Sequence, residues 1–196
     1  ASPWLRCAGR APTRHSPRWP LDRADCRRLG HESQIGALVN VLVVTESCFG
    51  NTARVAGAVA AGLQSKGAAV TVADAASQPD PSGVDLLLVG APTHNMGLPG
   101  PGSRRQARDK GGNPGVTGVA EWLDALPRTL GGSAAVFDTV TGTGFFSGSA
   151  ARGIGKRLRR HGVTIVARTS FLVGGTDGPL AEGELERADA WGAELA

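Results

Sequence analysis

The amino-acid sequence predicts an α/β domain in which a parallel sheet is covered by helices on both faces. Five short apolar runs follow one another along residues 39–196, helical patterns alternate with them, and glycines and prolines separate the segments. Runs that are apolar throughout are typical of strands buried on both faces of a parallel sheet. Right-handed crossovers between such strands then place helices on both sides.

The elements are predicted in chain order from these patterns. The first strand is Val39–Val44, and the helix Thr52–Lys66 follows because Val55, Val59 and Leu63 recur at helical spacing. Alternating apolar runs and helical stripes then predict strand Ala69–Ala73, strand Val84–Gly90, helix Val119–Leu126, strand Ser133–Phe137, helix Ser149–His161, a strand within Val163–Val173 and helix Leu180–Leu195.

Residues 1–38 differ from the rest of the chain in composition. They hold seven arginines against three acidic residues, and four prolines interrupt any regular pattern. We expect a disordered extension here and a single domain over residues 39–196. The extension accounts for the whole net charge of +4, so the domain is neutral and its charge does not favour a nucleic-acid partner.

Other classes of protein are disfavoured by the composition. No apolar stretch approaches the roughly 20 residues that span a bilayer, so a soluble protein is expected. Cys7, Cys26 and Cys48 do not form a disulfide framework, which favours a reducing cytoplasm. No catalytic triad or metal-ligating constellation is evident, and neither catalytic nor metal-binding residues are predicted.

The ligand site is expected beyond the carboxyl ends of the parallel strands. The loops predicted there are Thr45–Thr52, Ala91–Asp109 and Asp138–Gly148. In the first loop, hydroxyls and backbone N–H groups converge on a helix N-terminus, which suits a phosphate. This loop contains no lysine, which argues against a nucleoside triphosphate and favours a phosphomonoester held by hydroxyls and amides alone.

Two other interpretations of this loop stay open. Ser47 and Thr52 are also residue types that cap helices. Cys48 lies near a helix N-terminus, which can activate a thiol, but a small loop residue is the favoured interpretation.

The segment Val41–Ala56 resembles the flavodoxin signature. Ser47, Gly50, Thr52 and Ala56 fall on its positions, and Thr45 stands where that family prefers an aromatic residue. Gly90–Gly97 resembles the second flavin loop of flavodoxin-like proteins, particularly the quinone-reductase branch with its Pro-Thr-His. Thr141–Gly144 resembles the third loop, and the last predicted helix also resembles that of flavodoxin domains.

This resemblance implies a flavodoxin-like three-layer sandwich, with a five-stranded parallel sheet of order 2-1-3-4-5. It also implies noncovalent FMN, with the phosphate on Ser47–Thr52 and the ring between the second and third loops. The implied cofactor-binding residues are Thr45, Ser47, Cys48, Phe49, Gly50, Asn51, Thr52, Pro92, Thr93, His94, Asn95, Met96, Gly97, Thr141, Gly142, Thr143, Gly144 and Phe145.

Several side chains have more than one interpretation at this stage. His94 faces the ring or a quinone, or it bonds to backbone; Met96 packs on the ring or fills the core. Phe145 and Phe146 stack on the ring or belong to the core. Trp122 and Trp191 are interpreted as structural. Two basic clusters are interpreted as solvated helix faces, with a nicotinamide dinucleotide phosphate or an acidic partner as alternatives: Arg104, Arg105, Arg108 and Lys110, and Arg152, Lys156, Arg157, Arg159 and Arg160.

Three functions follow as expectations. The first is a flavodoxin-type redox protein that transfers electrons between a reductase and an acceptor. The second is an NAD(P)H-dependent quinone reductase that uses the same flavin. The third is a flavodoxin-like binding module that has lost FMN. The neutral domain differs from the strongly acidic surface typical of flavodoxin electron shuttles.

Overall fold

The structure is a computed structural model that describes residues 39–142 and 148–196. A five-stranded sheet has the order β2-β1-β3-β4-β5, and every neighbouring pair is parallel. The predicted architecture and strand order are therefore confirmed. The elements are β1 (Asn40–Thr45), α1 (Asn51–Ser65), β2 (Ala69–Asp74), a short 3-10 helix (Ala75–Ser77), β3 (Leu86–Pro92), α2 (Pro101–Asp109), α3 (Val119–Ala125), β4 (Ser133–Val140), α4 (Ala150–Arg160), β5 (Thr164–Leu172) and α5 (Glu184–Glu194).

Burial along the strands explains why the sequence shows apolar runs. The central strand β3 is buried at every position. Strand β1 is buried except at its exposed first residue, and β4 is buried except at its half-buried first residue. The edge strands β2 and β5 instead carry many exposed residues. Continuous apolar runs thus mark the strands that have helices on both faces.

Each face of the sheet has its own core. On one face, α1 and α5 pack over a cluster that includes Phe137 and Phe171. Trp191 joins these two rings, with centroids 6.1 Å from each. On the other face, α3 and α4 cover a second cluster that contains the buried Trp122. Both tryptophans therefore have the structural environment that the sequence predicts.

Two element boundaries differ from the prediction in ways that affect the site. The segment Ala91–Asp109, predicted as a loop, contains helix α2. Its sequence has no apolar stripe, and Gly100, Pro101 and Gly102 at its start are typical of a loop, so periodicity could not reveal it. Strand β4 continues to Val140 rather than ending at Phe137, and this extension assigns Asp138 and Thr139 to the sheet.

The last predicted helix also begins later than expected, at Glu184 rather than Leu180. None of the helices in the described part of the chain is long and apolar enough to cross a membrane. The predicted extension over residues 1–38 lies outside the described residues, as do Thr143, Gly144, Phe145 and Phe146.

Candidate functional site

A pocket of about 280 Å³ opens at the carboxyl edge of the sheet. Its walls come from the segments that follow β1, β3, β4 and β5, and from the end of α2. The lining residues that the sequence predicted are Ser47, Cys48, Phe49, Asn51, Thr52, Pro92, Thr93, His94, Asn95 and Thr141. The lining residues that it did not predict are Gln106, Lys110, Thr139, Val173 and Thr176.

The first loop delivers the N-terminus of α1 to this pocket without a side-chain cap. Gly50 is the N-cap residue, with φ of +86°, and no side chain accepts a bond from the first turn. A left-handed φ favours glycine because it has no Cβ to clash. The interpretation of Ser47 and Thr52 as capping residues is therefore wrong, and the first N–H groups of α1 are left available to a ligand.

The two hydroxyls of the loop have different surroundings. The Oγ1 atoms of Thr52 and Thr139 lie 2.9 Å apart and share a buried hydrogen bond. The Oγ atom of Ser47 is buried and has no hydrogen-bond partner among the described residues. Because a buried hydroxyl without a partner costs about 1–3 kcal/mol, this atom indicates a place where a polar ligand would bind.

Cys48 and Thr45 do not offer chemistry to the pocket. Burial, followed by the nearby Glu46 carboxylate, raises the pKa of the Cys48 thiol to about 11. The thiol therefore stays protonated near neutral pH, and the interpretation as a small loop residue fits better than a nucleophile. Thr45 is buried within β1 and does not line the pocket, nor does Gly50.

A buried ionic network holds the first loop from behind. The guanidinium of Arg104 donates to Glu46 over 3.1 Å and also to Glu121. The second carboxylate oxygen of Glu46 accepts from the Val119 amide at 2.9 Å. Arg104 is 1% exposed and Glu46 2%. The prediction of Arg104 as part of a solvated basic face is therefore wrong, because it joins α2 to the loop that follows β1.

The network has opposite effects on the two carboxyl groups. Burial raises the pKa of Glu46, although the Val119 amide and Arg104 oppose this shift. Glu121 is less buried, and its bonds from Arg104 and the Gly118 amide outweigh burial and lower its pKa. The negative charge next to Arg104 is thus held more firmly on Glu121.

The second loop makes a tight turn at the pocket rim. His94 and Gly97 bond to each other through both backbone pairs, at 2.9 and 3.0 Å. Asn95 and Met96 between them have positive φ values of 46° and 66°. Met96 is 63% exposed, so the interpretation that it fills the core is wrong. Met96 and Gly97 do not line the pocket.

A second hydrogen-bonded network links this loop to α4. Thr93 Oγ1 donates to Asp138 Oδ2 at 3.0 Å and accepts from the Ala150 amide at 2.9 Å. The same carboxylate oxygen accepts from Ser149 Oγ and from the Ala151 amide, at 2.7 and 3.0 Å. Asp138 thus stabilises the N-terminus of α4 and occupies the Thr93 hydroxyl, so that hydroxyl is not available to a ligand.

His94 is half-buried in the pocket wall. Burial and, to a smaller degree, the Lys110 charge lower the pKa of its imidazole. The ring is therefore neutral at physiological pH. In the third loop Thr141 lines the pocket and Gly142 does not.

Comparison with known proteins decides the class of this fold. No protein-family model matches the chain, and no curated protein matches it by sequence. Among solved structures, a flavodoxin from the domain Archaea superposes with a TM-score of 0.54, at 21% identity over 80% of this chain and 96% of that one. The fold is flavodoxin-like. The Streptococcus pneumonia TIGR4 flavodoxin gives a TM-score of 0.56 at 21% identity, over 80% of this chain and 97% of that one.

A third flavodoxin-like neighbour is oxidised Flavodoxin 2 from Bacillus cereus. It has a TM-score of 0.54 at 16% identity, and the match covers 80% of this chain and 99% of that one. In the flavodoxin-like fold described here, the pocket lies at the carboxyl end of the strands, where open α/β sheets bind ligands. No group of three or more metal-ligating side chains is found in residues 39–142 and 148–196.

The unpredicted pocket residues come from two segments. Val173 and Thr176 follow β5, whose carboxyl end lies at the same edge as the others, so the topology alone could have indicated them. This segment also contacts the first loop, because Asn51 Nδ2 donates to the Asp177 carbonyl at 3.1 Å. Gln106 and Lys110 come from α2 and its end, and no periodic signal in the sequence marks that helix.

Proposed function

We propose that this protein binds FMN noncovalently and transfers electrons between a reductase and an acceptor. The observation that carries the proposal is the buried Ser47 hydroxyl, which lacks a partner beside the uncapped N-terminus of α1. A phosphate ester would satisfy that hydroxyl and the first N–H groups of the helix together. Bound FMN would supply one- and two-electron chemistry, and the protein would tune it through contacts near the ring.

The fit of the pocket to such a ligand follows from its donors. Ser47, Asn51 and Thr52 line the pocket from the first loop and would hold the phosphate. Pro92–Asn95 and Thr141 line it from the second and third loops and would flank the ring. We expect the protein to act in the cytoplasm, because the number and spacing of its three cysteines do not form a disulfide framework.

Purified protein tests the proposal directly. We expect a yellow protein with a flavin absorption spectrum, or a colourless one that takes up FMN stoichiometrically and quenches its fluorescence. Ser47→Ala should weaken FMN binding by about tenfold, the effect of one charge-assisted hydrogen bond. The same change should leave the ligand-free protein equally stable or slightly more stable, because the hydroxyl has no partner to lose.

Ser65→Ala is the matched control. The Ser65 hydroxyl donates to the Gly62 carbonyl at the far end of α1, at 2.6 Å. This variant should keep the wild-type affinity for FMN. Protein that stays colourless and takes up no FMN would contradict the proposal and would favour a binding module that has lost the cofactor.

The half-buried, neutral imidazole of His94 favours a second candidate, an NAD(P)H-dependent quinone reductase that uses FMN. A neutral ring on the pocket wall could donate one hydrogen bond to a quinone or to the flavin. Stopped-flow mixing of FMN-loaded protein with NADPH separates the two functions. A pure carrier is reduced only when a reductase is added, whereas an enzyme is reduced by NADPH alone and reoxidised by a small quinone.

A further inference from the structure

The end of α2 brings a lysine to the pocket that the first loop itself lacks. Lys110 follows the last residue of α2 and lines the same pocket as Ser47, Asn51 and Thr52. Gln106 lies one turn earlier in the helix and lines it too. A phosphate at the first loop would therefore face a cation as well as hydroxyls and amides.

The backbone beside Lys110 is fixed against the first loop. The Asn113 amide donates to the Cys48 carbonyl at 2.9 Å. At Gly112, a Cβ atom would lie 2.7 Å from that carbonyl oxygen, so a residue with a side chain would not fit without movement. Lys110 thus belongs to a segment that packs on the first loop, and these contacts set its place beside the pocket.

The charge of Lys110 has no acidic partner within the described residues. The four ion pairs of the described residues involve Arg104 (twice), Arg157 and Arg187, and none involves Lys110. Arg104, the other cation near the first loop, is already bonded to Glu46 and Glu121. Lys110 is the pocket-lining cation whose charge is not neutralised by a carboxylate in residues 39–142 and 148–196.

We propose that Lys110 provides the countercharge for the phosphate monoester of the bound flavin, an inference that rests on the proposed function. A dianion bound only by neutral donors keeps its full charge, whereas an ammonium group beside it adds a charge-assisted hydrogen bond. The loop then recognises the phosphate by shape and by its amides, and Lys110 recognises it by charge. This division makes affinity for FMN depend on the phosphate and on ionic strength.

The experiment crosses a residue change with a ligand change. Dissociation constants for FMN and riboflavin are measured by fluorescence quenching for the wild type, Lys110→Gln and Lys110→Arg. The matched control is Lys66→Gln, an exposed lysine at the opposite end of α1. We expect Lys110→Gln to weaken the binding of FMN by about tenfold. The binding of riboflavin should weaken by less than about twofold, because riboflavin has no phosphate for Lys110 to contact.

Two further readouts sharpen the assignment. Lys110→Arg should retain most of the FMN affinity. In Lys110→Gln, the affinity for FMN should decrease less steeply with added salt than it does in the wild type. Inorganic phosphate is also titrated into protein saturated with riboflavin and into protein saturated with FMN. A flavin-phosphate site accepts free phosphate beside riboflavin and excludes it when FMN is bound, whereas a general anion site accepts it in both cases.

The outcomes separate this inference from the proposed function. If the wild type binds neither FMN nor riboflavin, both fail together. If FMN binds but Lys110→Gln weakens FMN and riboflavin equally, or changes neither, the role of Lys110 is overturned and the proposed function stands. Thermal unfolding is measured for each variant, and we expect the Lys110 variants to unfold at the wild-type temperature because Lys110 is exposed.

Discussion

Two buried carboxylates hold the two halves of the pocket, and they do so by different means. Glu46, after β1, binds the guanidinium of Arg104 and one backbone amide. Asp138, in β4, accepts through one oxygen from two hydroxyls and an amide, and its neighbours carry no formal positive charge. The first-loop half is therefore held by an ion pair, and the second-loop half by neutral donors at a helix N-terminus.

This difference teaches where the protein is sensitive. A buried ion pair leaves an uncompensated charge when one partner is removed, which costs several kcal/mol. A carboxylate bound by hydroxyls and amides loses several modest bonds instead. Substitutions in the network that supports the first loop should therefore destabilise the fold more than substitutions in the network that supports the second loop, although both loops line the same pocket.

Removal of Arg104 should have the largest effect. Arg104→Met leaves Glu46 buried without its cation, and we expect the free energy of unfolding to fall by about 3–5 kcal/mol. Arg105→Met is the matched control, since Arg105 is exposed on the same helix, and it should cost less than about 0.5 kcal/mol. Urea denaturation followed by circular dichroism measures both.

The double variant Glu46→Gln/Arg104→Met tests whether the cost is the stranded charge. It should be more stable than Arg104→Met alone, since a neutral amide replaces the unpaired carboxylate. Equal stability of the single and double variants would mean that lost packing, and not charge, explains the effect.

Removal of the Asp138 carboxylate should have an intermediate effect. Asp138→Ala leaves the hydroxyls of Thr93 and Ser149 and the Ala151 amide without their common acceptor. We expect a loss of about 2–3 kcal/mol by the same denaturation assay. Ser149→Ala removes the N-cap acceptor of α4 and one of the three donors to Asp138 and should cost about 1 kcal/mol. A loss from Asp138→Ala larger than that from Arg104→Met would reverse the comparison.

The pH dependence of stability should distinguish the two carboxyl groups that share Arg104. Burial raises the pKa of Glu46, so the folded state retains its proton above the ordinary glutamate range. The stability that this provides is present at low pH and is lost as the pH rises through the folded-state pKa. Replacement by Gln removes this loss, so Glu46→Gln should gain stability relative to the wild type as the pH rises.

Glu121 should behave in the opposite way and serves as the control. Its pKa is lowered, because bonds from Arg104 and the Gly118 amide outweigh its burial. Its contribution is present above the ordinary glutamate pKa and is lost as the pH falls. Glu121→Gln should therefore differ from the wild type most at neutral pH, and the two variants should show trends of opposite sign in unfolding measured from pH 4 to pH 8.

The fold could be predicted from the sequence for a physical reason. Buried parallel strands and the loop after β1 leave local patterns, and two residues of that loop, Ser47 and Thr52, line the pocket. The contacts that hold the pocket leave no such pattern. The pair between Arg104 and Glu46 joins residues 58 positions apart, and the bond between Thr52 and Thr139 joins residues 87 apart. The sequence pattern predicts Lys110 only as part of a solvated basic face, because its place at the rim of the pocket depends on the tertiary packing of α2.

The turn of the second loop gives the smallest expected effect. Met96 has a left-handed φ of 66°, and its exposed side chain gains little from packing. Met96→Gly should raise the free energy of unfolding by about 0.5–1 kcal/mol, because glycine adopts that conformation without the clash of a Cβ. Met96→Ala keeps the Cβ and should leave stability near the wild-type value. If both variants were equally stable in urea, the second loop would carry no strain at this turn. The lower sensitivity of that loop to substitution would then depend on the Asp138 network alone.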